Sequence, residues 1–287
     1  MKYDAFENGL ILPVLLCGGE GKRLRPLLGA EKPKQFLNLL GGERNLFGVT
    51  LSRTLESTLF LPPFITANIR HKAYIDLELT LLNEEPVLFW EPENRNTGAP
   101  VLMAACYAYI RGIAQLMILP CDHYIDDLGV FHSDIRQASN ITEQPIVYLG
   151  IPPDQPSSDF GYIGVGPDGI GFHEKPQREF ARCLIKNGAL WNSGMFLLNT
   201  ERFMQSCSQI DAATLGRAFS LVKGSVGSHE YYFDEMEYSK MPSTSFDRFY
   251  CERTSEGALL EASFAWNDLG SPDRLKRHNL RYGSQNV

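Results

Sequence analysis

Apolar residues alternate between two rhythms through the first half of the chain. Short continuous runs at 10–16, 64–67, 87–90 and 115–119 each end at a glycine, a polar residue or a proline, as buried strands do. Between them, residues 46–57, 72–82 and 99–110 place apolar side chains three and four apart, the spacing of one helix face. The alternation predicts an α/β fold: a Rossmann-like, mixed but mostly parallel sheet with helices on both faces, and ligands at the carboxyl ends of its strands. The second half reads differently. Runs at 146–151, 161–165, 169–173 and 194–198 look like strands separated by turn-rich pieces such as PPDQPSSD at 152–159, and 271–277 reads as a short helix. Without a linker, repeat or low-complexity run, residues 1–287 are expected to form a single unit, its halves meeting near 145 and 146.

Composition narrows the partners. With 44% hydrophobic residues the chain can bury a sizeable core, and 27 Lys+Arg against 34 Asp+Glu give a net charge of -7. That balance argues against a broad nucleic-acid footprint, so any anionic partner has to be met locally. No window approaches the roughly 18 apolar residues of a membrane span, and the acidic start MKYDAFENG is unlike a leader peptide, so a cytoplasmic protein without a membrane partner is expected. Cysteines 17, 106, 121, 183, 207 and 251 are scattered without a CxxC pair, which suits reduced structural thiols. No histidines pair at i and i+4 as zinc ligands would.

Positive charge and backbone freedom concentrate in LCGGEGKRLRPL at 16–27, directly after the first predicted strand. Amides that approach phosphate oxygens need glycine, and Gly18, Gly19 and Gly21 supply it. Two common phosphate loops are excluded: Lys22 precedes Arg23 where a Walker loop needs Ser or Thr, and Leu24 stands where a dinucleotide fingerprint needs its third glycine. The spelling GGxGxRLxPL followed by KPKQF at 32–36 resembles the signature of the sugar-1-phosphate nucleotidylyltransferases, and PKQF their mannose-1-phosphate guanylyltransferase branch. EPENRNT at 91–97, LPCDH at 119–123, FGYI at 160–163, EKP at 174–176, WNSGMF at 191–196 and WNDLGS at 266–271 continue the resemblance in order.

The resemblance implies the nucleotide-diphospho-sugar transferase fold and a reaction between GTP and mannose 1-phosphate that gives GDP-mannose and pyrophosphate, with Mg²⁺. A phosphate monoester, its second pKa near 6, is already an anionic nucleophile at neutral pH, so the chemistry asks for cations, amides and metal instead of a general base. By this reading Gly18, Gly19 and Gly21 cradle the triphosphate, Arg23 and Lys34 face the leaving pyrophosphate, and Lys175 meets the sugar phosphate. Asp122 and Asp268 are the metal carboxylates, while Gly161, Glu174 and Asn192 bind the sugar. Guanine's N1 and N2 donors suit Glu91, with Arg95, Asn96 and Thr97 shaping the same edge; here the chain departs from the branch, reading NTGAP for NTAP. Lys22 and Arg25 are peripheral. Three readings remain in play: this guanylyltransferase, the same chemistry with another base or sugar, and a nucleotide-sugar sensor that binds without turnover. No further β-helix or isomerase domain is expected after WNDLGS, and self-association as a homo-oligomer is left open.

Overall fold

The continuous apolar runs become the central strands of one sheet. A computed structural model describes residues 9–19, 32–224, 227–271 and 274–276. Its first half comprises β1 (Leu12–Leu16), α1 (Leu46–Ser52), β2 (Phe64–Asn68), α2 (Lys72–Leu82), β3 (Val87–Glu91), α3 (Gly98–Ile110), β4 (Gln115–Pro120), β5 (Tyr124–Ile125) and α4 (Leu128–Ser139). The second half contains β6 (Ile146–Ile151), β7 (Tyr162–Gly166), β8 (Gly169–His173), α5 (Arg178–Lys186), β9 (Leu190–Asn199), α6 (Thr200–Lys223), β10 (Glu230–Tyr232), α7 (Glu235–Tyr238), α8 (Phe246–Phe249), β11 (Ala258–Glu261) and β12 (Trp266–Asn267).

Eight strands follow the order β10-β3-β2-β1-β4-β9-β6-β11, with β7 attached to β9 and β8 to β7. Strands β1 to β4 are mutually parallel, while β9 runs antiparallel to both β4 and β6 and makes the sheet mixed. Successive side chains on a strand leave opposite faces, so each strand feeds two cores. Leu12, Val14, Phe64, Phe89, Leu116 and Ile118 pack with α3 and α6 on one side. Leu15, Ile65, Trp90, Met117 and Leu119 pack with α1, α2 and α4 on the other. This is the α/β fold that the sequence predicts, with β1, β2, β3 and β4 ending along one rim.

Three local features differ from expectation. Helix α1 stops at Ser52 instead of reaching residue 57, because the next residue, Arg53, is buried and donates to the carbonyls of His123 and Ile125, both at 3.3 Å. Strand β9 begins at Leu190 and not at Gly194. Gly194 sits inside it at φ 72°, where the pairing with β6 slips between Tyr148 and Gly150, so the glycine marks a bulge and not a strand start. Helices α4 and α6 have no counterpart in the sequence reading; α6 is broken at Asp211, whose carboxylate accepts from the Thr214 backbone at 3.0 Å and restarts it.

The expected set of reduced thiols also needs correction: Cys17 and Cys121 form a disulfide. Leu16 and Pro120 are register partners in the β1–β4 ladder, and the cysteines are the next residue on each strand. Strand adjacency thus brings together two cysteines that spacing alone does not relate. Denatured but unreduced protein is expected to titrate four free thiols, Cys106, Cys183, Cys207 and Cys251, and six after reduction; six beforehand would contradict the bond. Replacing Cys17 and Cys121 together by alanine should cost about 2–4 kcal/mol of unfolding free energy, measured by denaturant titration.

Candidate active site at the strand ends

A cavity of about 410 Å³ opens where β1, β3 and β4 end, and loops of the second half close it from the other side. Gly18 and Gly19, the first residues beyond the disulfide-bonded Cys17, line its floor. A Cβ on Gly18 would stand 3.2 Å from a Glu91 carboxylate oxygen, so the close approach of loop and β3 depends on glycine there. Gln35, to which the sequence attached no role, holds this loop: its amide donates to the carbonyls of Cys17 at 3.0 Å and Gly19 at 2.7 Å. Gly21 and Arg23, with Lys22 and Arg25, lie outside the described residues.

A buried lysine joins one acid to the backbone of another. Asp122 follows β4, and the antiparallel β5–β12 pair delivers Asp268 to the same place. The Lys34 side chain, 5% exposed, donates to Asp122 Oδ2 at 3.0 Å and to the Asp268 carbonyl. Burial pushes Asp122 upward, but Lys34 and then His123 outweigh it and hold the carboxyl below its ordinary value. The His123 pKa is lowered as well, its cationic form opposed chiefly by burial. Its Nδ1 accepts from the Trp266 indole at 3.2 Å, which leaves Nε2 as the protonated nitrogen, 3.6 Å from Asp122. Among the described residues no three His, Cys, Asp or Glu side chains form a metal cluster. Asp122 and Asp268 both line the cavity, and carboxylate oxygen suits magnesium, which takes one or two such ligands and completes its shell with water and phosphate.

The opposite wall carries carboxyl and amide side chains. Asn192 Nδ2 donates to Asp247 Oδ1 at 2.8 Å, and its carbonyl oxygen accepts from the Gly194 amide at 2.9 Å. Glu174 is ion-paired with Lys175 beside them. At Gly161 a Cβ would meet Glu174 Oε2 at 2.9 Å, so the glycine keeps that carboxylate in place. Lys175 is 55% exposed at φ 44°, a left-handed conformation uncommon for a side-chain-bearing residue and enriched where loops serve function. Asp247 was missed by the sequence reading. It lines the cavity because Phe246 donates its backbone N–H to Thr97 Oγ1 at 2.8 Å, which docks α8 against the segment leading into α3. Burial, with Glu174 nearby, pushes its carboxyl up to about 6.

The segment proposed for the base divides. Asn96 and Thr97 line the cavity, whereas Arg95 is absent from its wall, its guanidinium held by Glu93 Oε1 at 2.9 and 2.6 Å. Glu91 borders the cavity but is 3% exposed, with Oε1 accepting from Thr66 at 3.0 Å and Oε2 from the Tyr238 hydroxyl. Burial pushes its carboxyl up to about 7 against the pull of those two hydroxyls.

Strand order, the glycine floor and paired acids at the strand ends define a nucleotidyltransferase-like fold. The chain belongs to the nucleotidyl transferase family, whose profile matches residues 12–285. It is 32% identical over 275 residues to the alginate biosynthesis protein AlgA of Pseudomonas aeruginosa, covering 91% of this chain and 57% of the relative. It is also 32% identical over 294 residues to a mannose-1-phosphate guanylyltransferase of Sinorhizobium fredii, covering 96% and 56%. The chain therefore spans less than three fifths of these curated relatives. A solved structure described as mannose-1-phosphate geranyltransferase from Thermus thermophilus superposes with a TM-score of 0.74 at 26% identity, over 91% of this chain and 76% of that one. No helix among the described residues is long and apolar enough to cross a membrane.

Glu91 gives a pH test of the buried floor. Its folded pKa lies above the unfolded value, so folding favours the protonated acid and the penalty for ionisation grows as pH rises from about 4.5 to about 7. Glu91→Gln removes that penalty. Its melting temperature relative to wild type should therefore climb across that window, by roughly 5 °C, and level off above it. A difference that is flat with pH would mean that the carboxyl titrates normally.

Proposed function

We propose that the protein transfers a nucleoside monophosphate from a nucleoside triphosphate to a sugar 1-phosphate, with GTP and mannose 1-phosphate as its substrates. The observation that carries this reading is the shared cavity: the glycine floor and the Asp122–Asp268 pair occupy one end, and Glu174, Asn192 and Asp247 the other. That arrangement offers amides and cations to phosphates at one end and hydrogen-bonding side chains to a polyol at the other. The names of the relatives, mannose-1-phosphate guanylyltransferase among them, favour the particular base and sugar.

The reaction needs little proton chemistry from the protein. A phosphate oxygen of the sugar 1-phosphate attacks the α-phosphorus in line, the new P–O bond forms as the bond to pyrophosphate breaks, and the pair of electrons leaves on pyrophosphate. What the chain supplies is position and charge. Gly18 and Gly19 bring backbone close to the triphosphate, and Lys175, the exposed cation of the sugar side, draws in the sugar phosphate. Asp122 and Asp268 would hold Mg²⁺, which when bound supplies positive charge to phosphate oxygens. Lys34 keeps those two sites in register before substrate arrives and remains a cation within reach of the leaving group. Glu174, Asn192 and Asp247 supply acceptors and an amide donor to sugar hydroxyls. Asn96 and Thr97 border the space left for the base, with Glu91 supporting the floor beneath the glycines.

The test is pyrophosphate release by purified protein with each of the four common nucleoside triphosphates, paired with mannose 1-phosphate or glucose 1-phosphate, with and without Mg²⁺. Release is expected with GTP and mannose 1-phosphate in the presence of Mg²⁺, and a drop of at least about a hundredfold for Asp122→Ala. Turnover with UTP or dTTP but not GTP would sink the guanylyl assignment and spare the reaction class. Tight nucleotide binding without turnover for every pair would replace the enzyme with a sensor.

A further inference from the structure

We propose that Arg274 is a positioning residue for Asp268, and that it ties this carboxylate to the sugar side of the cavity through Asp159. The inference rests on the nucleotidyl-transfer reading, in which Asp268 is a metal carboxylate. The two acids of the pair are held by different means. Asp122 is met by the ammonium of Lys34, a point charge, whereas Asp268 is met by a planar fork. Arg274 Nη1 donates to Asp268 Oδ2 at 2.6 Å, and Nη2 donates to Asp159 Oδ2 at 2.6 Å. Its guanidinium carbon stands 4.1 Å above the centre of the Phe160 ring, and the side chain is only 11% exposed. Three contacts in different directions leave the guanidinium one orientation, and that orientation is passed to the carboxylate.

The place of Asp268 is built on its other sides as well. Oδ1 accepts from the Gly270 amide at 3.1 Å, and a Cβ at Gly270 would come within 2.5 Å of Oδ2. The residue between them, Leu269, is held at φ 45°. A left-handed turn and an obligatory glycine thus make room for one placement of the carboxylate, and the arginine selects it. Asp159 and Phe160 immediately precede Gly161, which borders Glu174 and Asn192. Arg274 therefore joins the phosphate end of the cavity to the loop at its sugar end. Lysine at this position keeps the charge but presents its donors from a single nitrogen, so it lacks the fixed separation of the two fork nitrogens that spans Asp268 and Asp159 in one plane.

The experiment compares wild type with Arg274→Ala, Arg274→Lys, Asp159→Asn and the Arg274→Ala/Asp159→Asn double variant, each checked for fold by thermal melting. Mn²⁺ is titrated into protein with GTP, and the free ion is followed by electron paramagnetic resonance. Pyrophosphate release then gives KM for mannose 1-phosphate and kcat. Removing a group that orients a metal-binding carboxylate weakens metal affinity by about 10–100-fold. Arg274→Ala should therefore bind Mn²⁺ at least about tenfold more weakly, Arg274→Lys should recover less than half of that loss, and the double variant should be no weaker than Arg274→Ala alone. Because the fork reaches the sugar loop, KM for mannose 1-phosphate should rise in Arg274→Ala and Asp159→Asn alike. Unchanged or tighter Mn²⁺ binding in Arg274→Ala would overturn the proposal, since Arg274 would then be only a charge opposing the ion. Additive losses in the double variant would remove Asp159 from the chain of contacts. Wild type that binds Mn²⁺ but turns over no sugar phosphate would overturn the transfer reading while leaving the Mn²⁺ comparison decisive for Arg274. Wild type that binds no Mn²⁺ would overturn both.

Discussion

A lysine ammonium taken out of water, as Lys34 is, persists only where anionic or carbonyl oxygens replace its hydration. Those oxygens come from Asp122 at the end of β4 and from the backbone of Asp268 beyond β12. One buried charge therefore requires three distant pieces of chain to meet: the turn after the glycine loop, the central strand and the final described loop. The rest of the cavity is arranged around this requirement. The β5–β12 pair brings the last of these pieces across, and Trp266 on β12 fixes the ring of His123 beside Asp122. Removing the ammonium would leave the Asp122 carboxylate and the Asp268 carbonyl without their shared donor, and removing the Asp122 carboxylate would leave the ammonium against a carbonyl alone. The charges at this end of the cavity are also the ones that hold its parts together.

The two ends of the cavity obey different physics. At the end beside the glycine floor, acids are paired with cations and Asp122 is held in its charged form. At the opposite wall and in the floor, Asp247, half-buried beside the Asn192 amide, and Glu91, buried under two hydroxyls, have their charged forms disfavoured. A carboxyl whose pKa is raised in this way gains a donor as well as an acceptor whenever it is protonated. The division follows from where the basic neighbours sit: Lys34 serves one side, Lys175 the other, and Arg274 stands between them, paired with Asp268 and with Asp159.

Much of this was legible in the sequence because it rests on local pattern. Continuous apolar runs at 10–16, 64–67, 87–90 and 115–119 became β1 to β4, since strands buried on both faces have no polar face to interrupt them. Motif residues 122, 161, 174, 192 and 268 meet in one cavity, each lying inside a strand or within two residues of a strand end. What stayed hidden depends on contacts between remote segments. Asp247 lies in STSFDRF, which reads as an ordinary polar turn until its backbone is seen docked on Thr97. Arg274 has no signal of its own, since its partners Asp159 and Asp268 come from different loops. Arg95 was placed at the base because of its motif, but Glu93, two residues earlier, holds its side chain. The cysteine pair escaped notice for the same reason: only the adjacency of β1 and β4 relates residues 104 apart.

That pair has a topological consequence. The bond from Cys17 to Cys121 closes on itself all the chain between the ends of β1 and β4, and β2, β3 and α1 to α3 hang from the resulting hoop. The half of the molecule that bears the glycine floor is thus an endless band instead of a length of string. A single backbone cut anywhere along that band opens it without dividing it, so the two new ends remain parts of one covalent molecule.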